Sequence, residues 1–168
     1  MKPNIDETAV RAFEIAKAHE SQSGVCSQGS VAGIFEALGV ENDEIIKAAT
    51  ALADGVGLTG DGHCGALSGG AIAIGHFFGR ERKDFGRLPS DFTPFILAKK
   101  LHDQFVEKFG SCRCADVQKH LMGRFYNLYD PADLQDAVKD RMLETCSNLV
   151  GEVARMTTRI ILEARENS

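Results

Sequence analysis

Five side chains in this 168-residue chain are soft enough to hold a transition metal or to exchange electrons with one another: Cys26, Cys64, Cys112, Cys114 and Cys146. They are dispersed, and no two form a C-x-x-C pair, so neither a thioredoxin-type dithiol nor the usual zinc-finger spacing is present. Their local surroundings say more. Cys26, Cys64, Cys114 and Cys146 each fall at or near the expected start of a helix. A helix N-terminus presents unpaired N–H groups and partial positive charge, which lower a thiol's pKa and favour the thiolate. The thiolate ligates metals and attacks disulfides, and the same N–H groups suit an anionic cluster whose sulfurs accept hydrogen bonds. A lone cysteine in a bundle is more often a small buried hydrophobe. Four at helix starts point to a shared site.

The second chemical signal is the run Asp54-Gly55-Val56-Gly57-Leu58-Thr59-Gly60-Asp61-Gly62-His63, which leads directly into Cys64. Its glycines permit backbone conformations closed to other residues and close approach to a bound group. Gly62, His63 and Gly65, flanking Cys64, are therefore the candidate cofactor-binding residues beside the four candidate metal ligands. Gly65, Gly69 and Ala73 recur every fourth residue, so one side of the following helix has almost no bulk and can receive another helix or a flat cofactor. A phosphate-binding loop is the rival reading, but the run follows no expected strand and no G-K-[ST] occurs. His63 is the best non-cysteine ligand candidate. His76 would sit roughly 20 Å from it along a helix, too far to share a mononuclear site, and reads as a structural group. No H-E-x-x-H, nucleophile elbow or close carboxylate pair occurs.

The elements that must position these residues read as helices throughout. Apolar residues at helical spacing predict helices over residues 5–19, 26–38, 43–52, 64–78, 93–109, 114–121, 132–143 and 145–163. Asn42, Thr93 and Asp130 are the expected N-caps, the last two followed by Pro94 and Pro131, and Gly39 and Gly110 the expected stops. The final segment has the clearest stripe, with Cys146, Leu149, Val150, Val153, Met156, Thr157 and Ile160 on one face. Alternating strand patterns are almost wholly missing. The expectation is an all-α, single-domain bundle of about six to eight helices spanning residues 1–168, with no linker or internal repeat.

A net charge of −5 argues against nucleic acid as a partner, since phosphate binding needs a clustered basic surface. Arg80, Arg82, Lys83 and Arg87 come nearest, but Glu81 and Asp84 interrupt them, and the segment reads as a solvated loop. The longest strongly apolar stretch, residues 69–79, is too short to span a bilayer. The opening Met1-Lys2-Pro3-Asn4-Ile5-Asp6 turns acidic at once and has no apolar run of the secretion-signal kind, so a cytoplasmic location is expected. In a reducing compartment, scattered cysteines read as metal-binding, catalytic or buried rather than as structural disulfides.

Taken in order, these segments resemble the C-GCAxxG-C-C family of redox-active cysteine-motif proteins. Cys26-Ser27-Gln28-Gly29-Ser30-Val31, with its helix ending in Leu38-Gly39, resembles the family's first cysteine segment, and Gly62-His63-Cys64-Gly65-Ala66-Leu67-Ser68-Gly69-Gly70 its signature. Phe109-Gly110-Ser111-Cys112-Arg113-Cys114 resembles the third segment, with Cys114 at the motif position, and Cys146-Ser147-Asn148-Leu149-Val150 the fourth. The stretch Leu121-Met122-Gly123-Arg124-Phe125 leading to Tyr129-Asp130-Pro131 also looks familial, without a known chemical role. Cys112 is extra to the pattern and reads first as a bystander. The resemblance implies a redox protein, and a similar domain in split-Soret-type cytochromes is associated with an iron–sulfur centre. No C-x-x-C-H occurs, so covalent haem is not expected.

Three functions follow. In the first, Cys26, Cys64, Cys114 and Cys146 hold an iron–sulfur cluster for electron transfer or redox sensing, with an unidentified redox partner protein. In the second, pairs of these cysteines cycle between dithiol and disulfide, which asks for a low-pKa thiol. In the third, the cysteines are structural, buried or bound to zinc in a helical interaction protein. The small-residue face and the stripe on the last helix are the surfaces a homodimer would use.

Overall fold

Asn4 closes the start of the first helix, its side-chain oxygen accepting from the N–H groups of Asp6 and Glu7. Asn42 does the same for Ile45, and Asp130 for Ala132 and Asp133 ahead of Pro131. Glycines in the left-handed conformation end four helices, at Gly24, Gly39, Gly110 and Gly123. Capping of this kind supplies partners for backbone groups that a helix end leaves without them.

The computed structural model describes residues 4–167, so Met1, Lys2 and Pro3 of the opening segment lie outside the described residues. The helices are α1 (Ile5–Ser23), α2 (Cys26–Leu38), α3 (Asp43–Ala48), α4 (Gly65–Phe78), α5 (Thr93–Phe109), α6 (Cys114–Met122), α7 (Pro131–Lys139) and α8 (Met142–Glu166), with short 3-10 turns at Thr50–Leu52 and Arg82–Asp84. Among the described residues there is no strand, only an isolated antiparallel bridge between His63 and Arg113. The protein is an all-α bundle, as expected. No described helix is long and apolar enough to cross a membrane.

Several boundaries differ from the sequence reading, among them the end of α3, which stops at Ala48 with Thr50–Leu52 as a separate 3-10 turn. Helix α1 continues to Ser23, which brings Glu20 inside it. Thr93 lies within α5 rather than capping it, and its N–H donates to Asp91 Oδ1 at 2.8 Å. The last break falls at Asp140 and Arg141, so α8 begins at Met142 and Cys146 sits a turn inside it. Arg141 makes that turn in the left-handed region, φ 59°, where no glycine or proline marks it.

Helix α8 packs along α1 and against α2, α4 and α5, and α2 packs on α1 and α4. Phe35, Ile34 and Val31 of α2, Ile74 of α4, Leu101 and Phe105 of α5, and Val150, Val153 and Ile160 of α8 fill the core between them. The small-residue side of α4 is covered within the chain. A Cβ on Gly69 would lie 2.6 Å from the Ser27 carbonyl oxygen of α2, and one on Gly70 2.6 Å from Thr157 Oγ1 of α8. The stripe of α8 is likewise buried at Leu149, Val150, Val153, Thr157 and Ile160. Neither feature offers a surface to a second copy.

Two buried hydroxyls lock the start of α2 to its neighbours. Ser27 donates to the Ala49 carbonyl at 2.7 Å, and Ser30 to the Ala66 carbonyl of α4 at 3.1 Å. These bonds hold Cys26 and Cys64 in register.

Candidate functional site

Four segments deliver sulfur to one cavity of about 230 Å³. Cys26 is the first residue of α2, Cys64 the cap residue of α4, Cys114 the first residue of α6, and Cys146 lies in the second turn of α8. All four line the same cavity, whose remaining walls are largely apolar, with Leu58, Val117, Leu149 and Val150 among them. Leu121 of α6, Leu134 and Val138 of α7 and Leu143 of α8 also line it while remaining exposed, so the cavity opens between these three helices. Cys112 does not line it; its carbonyl accepts the Cys64 N–H at 2.8 Å. All five cysteines are free thiols. Among the described residues, no group of three or more His, Cys, Asp or Glu side chains is arranged to hold a metal ion. The thiols stand around a cavity rather than closing on a point.

The glycine-rich run is what brings α4 and α6 together. Asp54, Gly55, Val56, Gly57 and Leu58 all have left-handed backbones, with φ of 47°, 75°, 69°, 61° and 61°. For Asp, Val and Leu that conformation is strained, and such strain persists only where surrounding structure imposes it. Downstream, the Gly60 carbonyl accepts the Ala115 N–H and the Gly62 carbonyl the Cys114 N–H, each at 2.9 Å, so the run caps α6. Gly65 permits the closest approach at the site, since a Cβ there would lie 2.4 Å from Cys26 Sγ.

His63 is exposed and does not line the cavity. It is extended before the cap residue Cys64, and successive residues of extended chain face opposite ways, so a buried Cys64 turns His63 outward. His76 stacks on Phe35, ring centroids 4.9 Å apart, a structural role through ring contact.

The family model described as "Putative redox-active protein (C_GCAxxG_C_C)" matches residues 25–160. The chain belongs to that family. Neither a curated protein nor a solved structure matches it. Membership gives this C_GCAxxG_C_C protein a redox role in general, and the matched segment contains all four cysteines of the cavity.

Three polar residues of this C_GCAxxG_C_C protein complete the site, and none was singled out from sequence. The Cys114 thiol donates to Asp54 Oδ1 at 2.9 Å, and Gln118 Nε2 donates to the same oxygen at 2.7 Å and to Cys114 Sγ at 3.6 Å. Gln118 Oε1 accepts the Tyr126 N–H at 3.1 Å, which fixes which way the amide points. Glu20, from α1, is the third. Signals for two of them existed. Glu20 continues the α1 spacing of Ala9, Ala12 and Ala16, placing a carboxylate on an apolar face, and Gln118 lies one turn after Cys114 on the same face. The familial stretch after α6 braces the site from outside. It carries Tyr126, whose hydroxyl donates to Asp140, and Tyr129, whose hydroxyl donates to the Gly57 carbonyl at 3.0 Å.

The expected lowering of thiol pKa at helix starts is overturned at Cys26 and Cys114. Burial, and then the charge of Glu20, push Cys26 up to about 12. The adjoining Cys64 thiol, burial and Asp54 raise Cys114, and burial raises Cys146. Withdrawal from water and neighbouring acids outweigh the partial charge of a helix end, which is a fraction of a unit charge. Burial also raises Asp54, and burial with Asp54 nearby lifts Glu20 to about 7.

Proposed function

We propose that this protein is an iron–sulfur redox protein whose cluster is held by Cys26, Cys64, Cys114 and Cys146. The observation that carries the reading is that these four cysteines, remote in sequence, line a single apolar cavity. The donor set fits: four soft sulfurs are what iron–sulfur clusters take, and a cavity ringed by thiols suits a group of several atoms better than one ion. The raised thiol pKa values fit as well. Without metal the thiols of Cys26, Cys114 and Cys146 stay protonated and neutral in their apolar surroundings, and loading displaces their protons because a metal-bound thiol ionises. A cluster bound there would supply one-electron transfer at a potential set by thiolate ligation, burial and hydrogen bonds to sulfur. Gln118 Nε2 is placed to donate such a bond to Cys114, and the leucines of α6, α7 and α8 restrict water. In this reading the protein acts in the cytoplasm as a carrier or sensor, with a redox partner protein reaching the centre from the α6–α8 side.

Anaerobic purification and reconstitution with iron and sulfide tests it. The protein should be coloured and contain both elements. Colourless, iron-free protein after reconstitution sinks the proposal, and one equivalent of zinc with no iron marks a structural site instead.

A second reading has one observation in its favour, the contact between the Cys64 and Cys114 thiols. Oxidation of that pair would form an S–S bond, release two protons and pass two electrons to a disulfide or quinone acceptor. The raised pKa of Cys114 makes it a slow nucleophile, which ranks this reading second. Thiol alkylation identical before and after mild oxidation would remove it.

A further inference from the structure

The loop between α4 and α5 reads from sequence as solvated, and its charged side chains are exposed, but the stretch that follows them is not polar. Phe85, Leu88, Phe92, Phe95 and Ile96 are all more than half exposed, Leu88 at 92%. Single apolar side chains on a surface are ordinary, whereas a run of them makes a patch that is costly in water unless something covers it. They form two groups. Phe85 and Leu88 line an open hollow of about 450 Å³ together with Arg80, Gly86 and Arg87. Phe92, Phe95 and Ile96 fall at helical spacing at the start of α5, the rings of Phe92 and Phe95 6.0 Å apart. Even fully extended chain would separate the Cα atoms of Leu88 and Phe92 by no more than about 14 Å. None of these residues lines the cavity of the four thiols.

Basic charge accompanies the first group. Arg80 braces the loop, its guanidinium donating to the carbonyls of Asp84 and Arg87 and lying 5.8 Å from the centroid of the Phe85 ring. Lys83 pairs with Glu81, and Asp91 is engaged at the start of α5, where its Oδ1 accepts the Thr93 N–H. Arg82 and Arg87 are exposed, and among the described residues neither has an ion-pair partner. In a chain of net charge −5, this face joins protruding apolar groups to unpaired cations.

We propose that residues 80–96 are a peripheral docking surface for an anionic lipid bilayer. Arg82 and Arg87 meet lipid phosphates, and the five apolar side chains enter the boundary between headgroups and acyl chains. The hollow supplies the guanidinium groups of Arg80 and Arg87 beside a phenyl ring and a leucine, which matches a phosphate joined to an acyl chain. A protein partner would need a pocket to receive a side chain as prominent as Leu88, whereas a bilayer yields to any protruding apolar shape. The rest of the surface carries the chain's negative excess, so repulsion turns this face toward an anionic membrane.

The experiment is co-sedimentation of the full chain with phosphatidylcholine vesicles, with and without about one-third phosphatidylserine. Wild type should pellet with the anionic vesicles and stay in solution with the neutral ones. Salt at about 1 M, where the screening length falls to about 3 Å, should release most of it. Arg82→Gln with Arg87→Gln, and separately Leu88→Ser with Phe92→Ser, should each weaken the partition about tenfold or more. All four side chains are exposed, and circular dichroism checks that the variants fold. The chain has no tryptophan, so Leu88→Trp introduces a single reporter whose emission should shift to the blue on anionic vesicles. Protein that stays in solution with both vesicles, or pellets equally with both, overturns the proposal, as do folded variants that pellet like wild type. Release by inorganic phosphate beyond that by sodium chloride at equal ionic strength would mark a soluble-anion site and overturns it. A wild-type dimer in sedimentation velocity that Leu88→Ser with Phe92→Ser dissociates overturns it too, because a second copy would then be the cover. Unshifted Leu88→Trp emission on vesicles that pellet the protein puts the contact on another face and has the same consequence.

Discussion

The Cys114 thiol donates a hydrogen bond to Asp54 Oδ1 across 2.9 Å, joining the first residue of α6 to the start of a left-handed run of chain. Gln118 clamps the pair, and the backbone of Tyr126 clamps Gln118. Replacing Gln118 by Leu should therefore strand the buried Tyr126 N–H and leave Asp54 Oδ1 with the Cys114 thiol as its one remaining donor. A loss of about 1–3 kcal/mol is expected, read from denaturant unfolding of the metal-free protein. A change within about 0.5 kcal/mol, the range of ordinary surface substitutions, would show that the clamp is not formed.

The metal-free protein should grow less stable as pH rises from about 4.5 to about 7. Glu20 has its folded pKa raised from 4.5 to about 7, so in that window the folded state binds more protons than the unfolded one, and stability falls with increasing pH. Below the window both states are protonated and the contribution is fully present; above it the loss is complete. The raised pKa of Asp54 acts in the same direction. Thermal unfolding across this range should show the decline, and Glu20→Gln should flatten it by roughly 3 kcal/mol. An identical pH profile for the variant would refute the assignment to Glu20.

Gly65 and Gly75 lie in the same helix and should respond oppositely to alanine. At Gly65 the new Cβ would meet Cys26 Sγ at 2.4 Å and Ala53 Cα at 3.1 Å, so Gly65→Ala should cost about 1–3 kcal/mol and reduce iron loading. At Gly75 nothing lies within 4 Å, and the substitution should stabilise by about 0.5–1 kcal/mol through helix propensity. Equal effects at the two positions would contradict the close approach of α2 to α4.

Arg141 holds a left-handed conformation between α7 and α8, and its ion pair with Glu144 is largely exposed. Arg141→Gly should relieve about 1 kcal/mol of strain, raising the melting temperature by about 2–4 °C. A lower melting temperature would mean that the break between these helices is made in another way.

Cys112→Ser should leave iron and sulfide content near wild type, because Cys112 contributes to the site through its carbonyl and not its side chain. Cys114→Ser should lose most of both, since the sulfur that faces the cavity is removed. Equal losses would require redrawing the ligand set.

The all-α class, most helix starts and the grouping of Cys26, Cys64, Cys114 and Cys146 as the residues of interest were legible in the sequence, because caps, stops and apolar spacing are local and leave local marks. Asn42 and Asp130 cap where their side chains can reach the next N–H groups, and that needs no knowledge of the rest of the chain. The break at Arg141 was hidden because an arginine in the left-handed region leaves no such mark. Only the tertiary structure decided that the four sulfurs share a cavity with Glu20 and Asp54, that His63 turns away from it, and that the thiols of Cys26, Cys114 and Cys146 stay protonated. Those outcomes depend on groups distant in sequence arriving at one place, and on the loss of water there. Desolvation and neighbouring charge act through space, and a helix start read in isolation carries neither.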